Sequence, residues 1–221
     1  MQAIMETLFD IFYLSSVIIL GIRMIRGAKN SKQYQLFGIM AVVLGCGDAF
    51  HLVPRAVALC TTGLASYAAP LGIGKLITSI TMTLFYVLLY LIWRERYKIT
   101  GEKGLTTAVV ILAVLRIVLC LMPQNAWTQV NAPVSWGIYR NIPFAILGLV
   151  IVVLFYRKRQ DTPFKWLWVA IIISFTCYIP VVLWAEAVPL VGILMIPKTC
   201  AYLWMVVMGY QAMKKEIPHA A

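Results

Sequence analysis

Asp48, His51 and Arg55 fall within nine residues, GDAFHLVPR at 47–55. On a helix the spacing i, i+3, i+7 puts all three on one face. An imidazole held by a carboxylate is oriented and made more basic, so Asp48 with His51 would make an acid–base couple. A guanidinium beside them suits bidentate contact with a phosphate or carboxylate. The same pair could begin a metal site, but that needs three or more donors. Glu186, Asp10 or a tyrosine would have to supply the third, among lysines and arginines that oppose a bare dication. Neither a metal nor a cofactor is expected.

Other residues share this character. Lys75, Ser79, Met82, Tyr86 and Tyr90 form one helical stripe, and Lys198 and Tyr202 are i, i+4. Arg116 is the one charge in a long apolar run, and Arg140 and Glu186 border two others. The candidate set is therefore Asp48 and His51 for chemistry. Arg55, Lys75, Tyr86, Arg116, Arg140, Glu186, Lys198 and Tyr202 would contact a ligand.

The elements that carry these residues follow from composition. The 221 residues are 62% hydrophobic and 12% charged, with mean hydropathy +0.87. Soluble chains run nearer half apolar and a quarter charged, so an ordinary soluble domain is excluded. Apolar runs bounded by charge or turn residues predict seven membrane helices at about 4–22, 34–53, 74–93, 105–122, 141–156, 166–186 and 190–210. The fold class is an all-α seven-helix bundle, one membrane domain. The first run holds Glu6 and Asp10 and lacks a basic leader or cleavage site, so it reads as a retained helix.

Arg23, Arg26, Lys29 and Lys32 lie between runs one and two. Arg94, Arg96, Lys98 and Lys103 lie between three and four. Arg157, Lys158, Arg159 and Lys165 lie between five and six, and Lys214 and Lys215 follow run seven. All of these connections share one side, which the positive-inside rule makes cytoplasmic, with the amino terminus outside and the carboxyl terminus inside. A multi-pass protein of the plasma membrane is expected. The net charge of +11 then signals topology and contact with anionic headgroups; no nucleic acid partner is expected. Cys46, Cys60, Cys120, Cys177 and Cys200 show no metal-ligand spacing. Cys60 and Cys120 both fall near the outer face, where they could pair.

Five bases and four acids escape the topology account: Arg55, Lys75, Arg116, Arg140 and Lys198, with Glu6, Asp10, Asp48 and Glu186. All fall in the outer half of the bilayer, with Lys198 about 12 Å below the outer end of run seven at 1.5 Å per residue. A charge at a helix centre costs roughly 2.5–3.5 kcal/mol on insertion scales, so such groups pair or line a wet cavity. The expectation is an outward-opening polar pocket lined by helices two, three, four and seven. It would take a small molecule or lipid bearing an anionic group. The alternative is a set of paired ions that only lock the bundle. Pro54 is expected to end or bend helix two, leaving Arg55 free to swing. The stretch 123–140, with Trp127, Trp136 and Tyr139, is either an aromatic belt or a lid.

The run GDAFHLVPR resembles the Gly-Asp motif of the membrane lysoplasmalogenase family, mapping it onto Gly47 and Asp48. The resemblance implies a multi-span hydrolase of lipid vinyl ethers with Asp48 in a polar intramembrane site. The sequence has no counterpart of the family's second Ser-Asp motif, and seven spans rather than eight. Two other classes compete. Aligning 69–90 with 188–210 matches Pro70 to Pro189, Gly72 to Gly192 and Tyr90 to Tyr210, as a solute transporter of three-plus-one-plus-three helices would. A lysine inside helix seven also suits a sensor carrying a Schiff base at Lys198, although Pro197 precedes it.

Overall fold

The structure, a computed structural model, describes residues 2–61, 63–129, 132–185 and 187–217. Among them are seven helices long and apolar enough to cross a membrane, and no strands. They are α1 (Gln2–Gly27), α2 (Lys32–Cys60), α3 (Ala68–Arg96), α4 (Lys103–Leu121), α5 (Val134–Arg157), α6 (Leu167–Trp184) and α7 (Met195–Glu216). Each packs on its chain neighbours, and α1 meets α7 to close the ring. The core runs through the middle, from Tyr13 and Phe37 through Phe85 and Tyr86 to Phe144, Tyr202 and Met205.

Helices α1, α2, α3 and α5 overrun the expected spans, in part because charged residues at their ends stay helical, whereas α6 falls short of its span. Arg23 and Arg26 belong to α1, and Arg94 and Arg96 to α3. Pro54 does not end helix two: α2 passes through it and ends at Cys60. Inside a bundle, neighbouring groups make good the one hydrogen bond a proline removes. Helix seven starts later than expected, after a 3-10 turn at Pro189–Leu194. Lys198 is thus the fourth residue of α7.

In lipid, helices associate by close packing rather than by burial from water, so small residues mark the contacts. Gly21 and Gly38 set α1 against α2, and a Cβ on Gly38 would stand 2.7 Å from the Gly21 carbonyl. Gly74 lets the α3 backbone lie against Phe50 and His51 of α2. Thr78 Oγ1 then donates to the Gly47 carbonyl at 3.0 Å across the same interface.

The end with the basic connections is tied by ions. Arg96 donates through Nε and Nη2 to Asp161, both at 2.9 Å, and through Nη1 to both Glu216 oxygens at 2.7 Å. Tyr34 Oη donates to Glu216 at 2.6 Å and Tyr97 Oη to Asp161 at 2.9 Å. Arg96, one of the bases assigned to topology and headgroup contact, is thus held within the protein. Tyr97 follows α3; burial, and then its bond to the Asp161 carboxylate, raise its phenol above the ordinary value. Its neutral form therefore stabilises the fold below the unfolded pKa of about 10, and this contribution fades as pH rises through the higher folded value. Thermal melts in detergent between about pH 8 and 11 should show alkaline destabilisation that is smaller in Tyr97→Phe. Equal alkaline slopes in the two proteins would refute it.

Candidate functional site

The half of the bundle away from the basic connections holds the site. Asp48 faces α1, where Tyr13 Oη donates to its Oδ2 at 2.7 Å. Asp10, one turn earlier on α1, is 7% exposed, and its Oδ2 has no hydrogen-bond partner among the described residues. Lys198, also 7% exposed, sits over the rings of Tyr178 and Tyr202 at 4.7 and 5.4 Å. Asp48 and Arg116 both lie close enough to Lys198 for their charges to be felt, yet neither carboxylate of the α1–α2 pair makes ion-pair contact with it. Lys198 is in the first turn of α7, so the helix dipole adds to its positive potential instead of offsetting it.

Arg116 is the most deeply covered of these cations, at 2% exposure. Its Cζ lies 3.2 Å from the centre of the Phe144 ring. No carboxylate among the described residues comes within ion-pair distance of it, and its Nε and Nη1 donate to nothing. Cys120, Tyr178 and Tyr202 surround it. Beside it the buried hydroxyls of Tyr86, Ser174 and Tyr202 gather close to one another, with no hydrogen bond of good geometry from Tyr86 Oη or Ser174 Oγ among the described residues.

Other expected members are engaged elsewhere. Arg55 is not free to swing: its Nε pairs with Glu6, so it ties α2 to α1. Arg140 donates to Asn125 Oδ1 at 2.8 Å and lies 4.3 Å over Trp127. Asn125 in turn donates to the carbonyls of Leu119, Cys120 and Met122, capping α4. Trp127 folds inward, its Nε1 donating to the Cys120 carbonyl at 2.8 Å and its backbone resting on Gly72. This tryptophan is half-buried against the end of α4 and the start of α3. His51 makes no hydrogen bond with Asp48. It lies against the start of α3, near Lys75, Arg55 and the Leu71 backbone, with Nδ1 buried and unbonded. Gly74 brings the α3 backbone onto it, so the acid–base couple expected from spacing is not assembled. Lys75 is exposed, and Glu186 lies outside the described residues.

Cys60 and Cys120 are both free, the first exposed and the second buried. Among the described residues no three His, Cys, Asp or Glu side chains gather closely enough to hold an ion. The expected outward-opening pocket also needs revision. Arg116 and Lys198 are covered, because Phe144, Tyr178 and Tyr202 close over them.

Sequence reasoning named four of the helices involved. It missed Tyr13, Asn125, Asn141, Ser174 and Tyr178, which bring in α1, α5 and α6. Tyrosine counts as apolar in a hydropathy window, so these groups left little trace. Asn141 and Ser174 alone interrupted their runs with a polar atom. No family profile, curated protein or solved structure matches the chain, and the functional reading rests on the site.

Proposed function

We propose that the protein binds, in the outer half of the membrane, a ligand carrying an anionic group beside Arg116 and Lys198, and that it acts on lipid. The supporting observation is the Arg116 guanidinium, 2% exposed and, among the described residues, without a carboxylate partner and with two N–H-bearing nitrogens uncommitted. An unpaired buried cation costs several kcal/mol. Intramembrane charges kept despite that cost mark sites of function. Lys198 adds a second positive charge, and Tyr86, Ser174 and Tyr202 offer hydroxyls that would complete a phosphate or carboxylate cradle.

Asp48 is the acid–base group of this reading. One of its oxygens is held by Tyr13, and the carboxylate lies within electrostatic reach of Lys198. It would take a proton from a water attacking the lipid's ester carbonyl carbon and return it to the departing alkoxide oxygen as that C–O bond breaks, giving acid and alcohol, while the cations hold the anionic group. His51 has no part in that step, since it lies against α3. The test is lipid mass spectrometry on purified protein in liposomes of phospholipids, lysolipids and vinyl-ether lipids, with wild type beside Asp48→Asn. Wild-type turnover should fall about 100-fold or more in the variant, the usual range for losing a general acid–base group. Equal turnover in the two would remove Asp48 from the mechanism. A bound lipid that is never altered would remove hydrolysis.

One observation favours a second reading, transport. The Arg96 network closes the basic end by joining α3, α7 and the connection between α5 and α6, as the shut inner gate of an outward-facing state would.

A further inference from the structure

An apolar cleft between α5 and α6 ends at the rings that cover the two cations. Ile142, Phe144 and Ala145 of α5 and Phe175, Tyr178 and Ile179 of α6 line it, and it holds about 520 Å³ including its open mouth. Its enclosed part is about 170 Å³, smaller than the roughly 300–1,000 Å³ of whole small-molecule sites and suited to a stretch of one alkyl chain. Its rim is exposed and apolar: Ile142 is 51% exposed and Ile179 46%. Its inner wall has a different character. Phe144 and Tyr178 are the rings on which Arg116 and Lys198 rest, at 3.2 and 4.7 Å. An apolar slot that ends at two covered cations matches an amphiphile with one long chain and an anionic head.

The slot also has a latch. Tyr178 Oη donates to Asn141 Oδ1 at 3.0 Å, joining α6 to α5. Asn141 is fixed by its own Nδ2, which donates to the Gly137 carbonyl at 2.7 Å. Each partner stands two residues before a proline inside its helix, Pro143 in α5 and Pro180 in α6. A proline removes one backbone bond and places a bend there, so both helices can flex where the latch holds them.

Resting on the anion site proposed above, we infer that the α5–α6 cleft is a lateral portal for a single-chain anionic membrane lipid. The acyl chain lies along the cleft. The head passes the Tyr178–Asn141 latch to reach Arg116 and Lys198.

The test measures binding of radiolabelled 1-oleoyl-lysophosphatidic acid to the full chain in phosphatidylcholine nanodiscs. Wild type should bind saturably. Arg116→Gln should weaken binding by about 10-fold or more, as losing a charge-assisted bond does. Ala145→Trp fills the slot from α5 and should weaken binding comparably while Arg116 stays intact. Leu183→Trp fills it from α6, so the test survives if one plug fails to fold. Tyr178→Phe keeps the ring but removes the latch, and should speed association and dissociation together. If Arg116→Gln abolishes binding while both plugged variants bind at wild-type rates, the portal is overturned and the anion site stands. If Arg116→Gln binds as wild type does, both are overturned. Arg116-dependent binding of inorganic phosphate without binding of the lysolipid also overturns the portal.

Discussion

Arg116→Met is expected to give a more stable bundle that no longer retains its ligand. The guanidinium loses its water on burial and gains no carboxylate among the described residues in return, a net cost of several kcal/mol. Its contact with Phe144 at 3.2 Å recovers part of that, about 2 kcal/mol for a desolvated cation over a ring. Methionine fills similar space, and its sulfur regains roughly 0.3–1.5 kcal/mol against the same aromatics. Desolvation wins, and the variant should be more stable by about 1–4 kcal/mol, the range seen when buried ionic groups give way to apolar ones. Thermal unfolding in detergent reads the stability, and mass spectrometry of co-purified lipid reads retention.

The sign separates function from structural glue. If Arg116 served to hold helices together, its removal would destabilise the bundle. Arg55→Met provides the contrast, because it strands Glu6 of α1 without its partner and should lower stability. Lys198→Met should gain less than Arg116→Met, since Lys198 already has Asp48 within electrostatic reach and two rings beneath it. A loss of stability in Arg116→Met, equal to that in Arg55→Met, would leave the anion site without its main support. A site kept at the expense of stability is the ordinary trade between folding and activity.

The seven helices were legible because lipid imposes a long apolar run on each, a constraint that reads directly from sequence. Their ends were less so. An apolar window stops at Arg94, whereas α3 continues to Arg96, whose charge is satisfied by residues far away in the chain. Pro54 is a stop signal in water but only a missing bond inside a packed bundle. Depth and helical face put Asp48, Arg116, Lys198, Tyr86 and Tyr202 together. They could not say which charges were spent on each other. Arg55 with Glu6 and Arg140 with Asn125 are pairings between separate elements, and no spacing rule reaches that far. Spacing also placed His51 beside Asp48, but each side chain follows its own neighbouring helix, Tyr13 on α1 for one and the Gly74 region of α3 for the other.

Arg96→Ala should be the most damaging single change at the opposite end of the bundle. The guanidinium makes four hydrogen bonds to two carboxylates and lies 5.2 Å over Phe164. Removing it leaves Asp161 and Glu216 facing one another's neighbourhood with only Tyr97 and Tyr34 as donors. Breaking a fully buried pair costs about 3–5 kcal/mol. Arg96 and Asp161 keep 16% side-chain exposure and Glu216 36%, so water screens part of that and roughly 2–3 kcal/mol is expected. Arg96→Lys should lose less, for it keeps the charge but not the planar fork that reaches both acids. Hydrogen exchange should report where the loss falls, with protection reduced at the ends of α3 and α7 and unchanged around Lys198. A change below about 0.5 kcal/mol would mark the network as an exposed surface pairing. If the Arg96 network is an inner gate, Arg96→Ala should also make Arg116-bound ligand exchange with the basic side. That exchange would favour transport over hydrolysis, because a lipid enzyme served by the α5–α6 cleft needs no opening there.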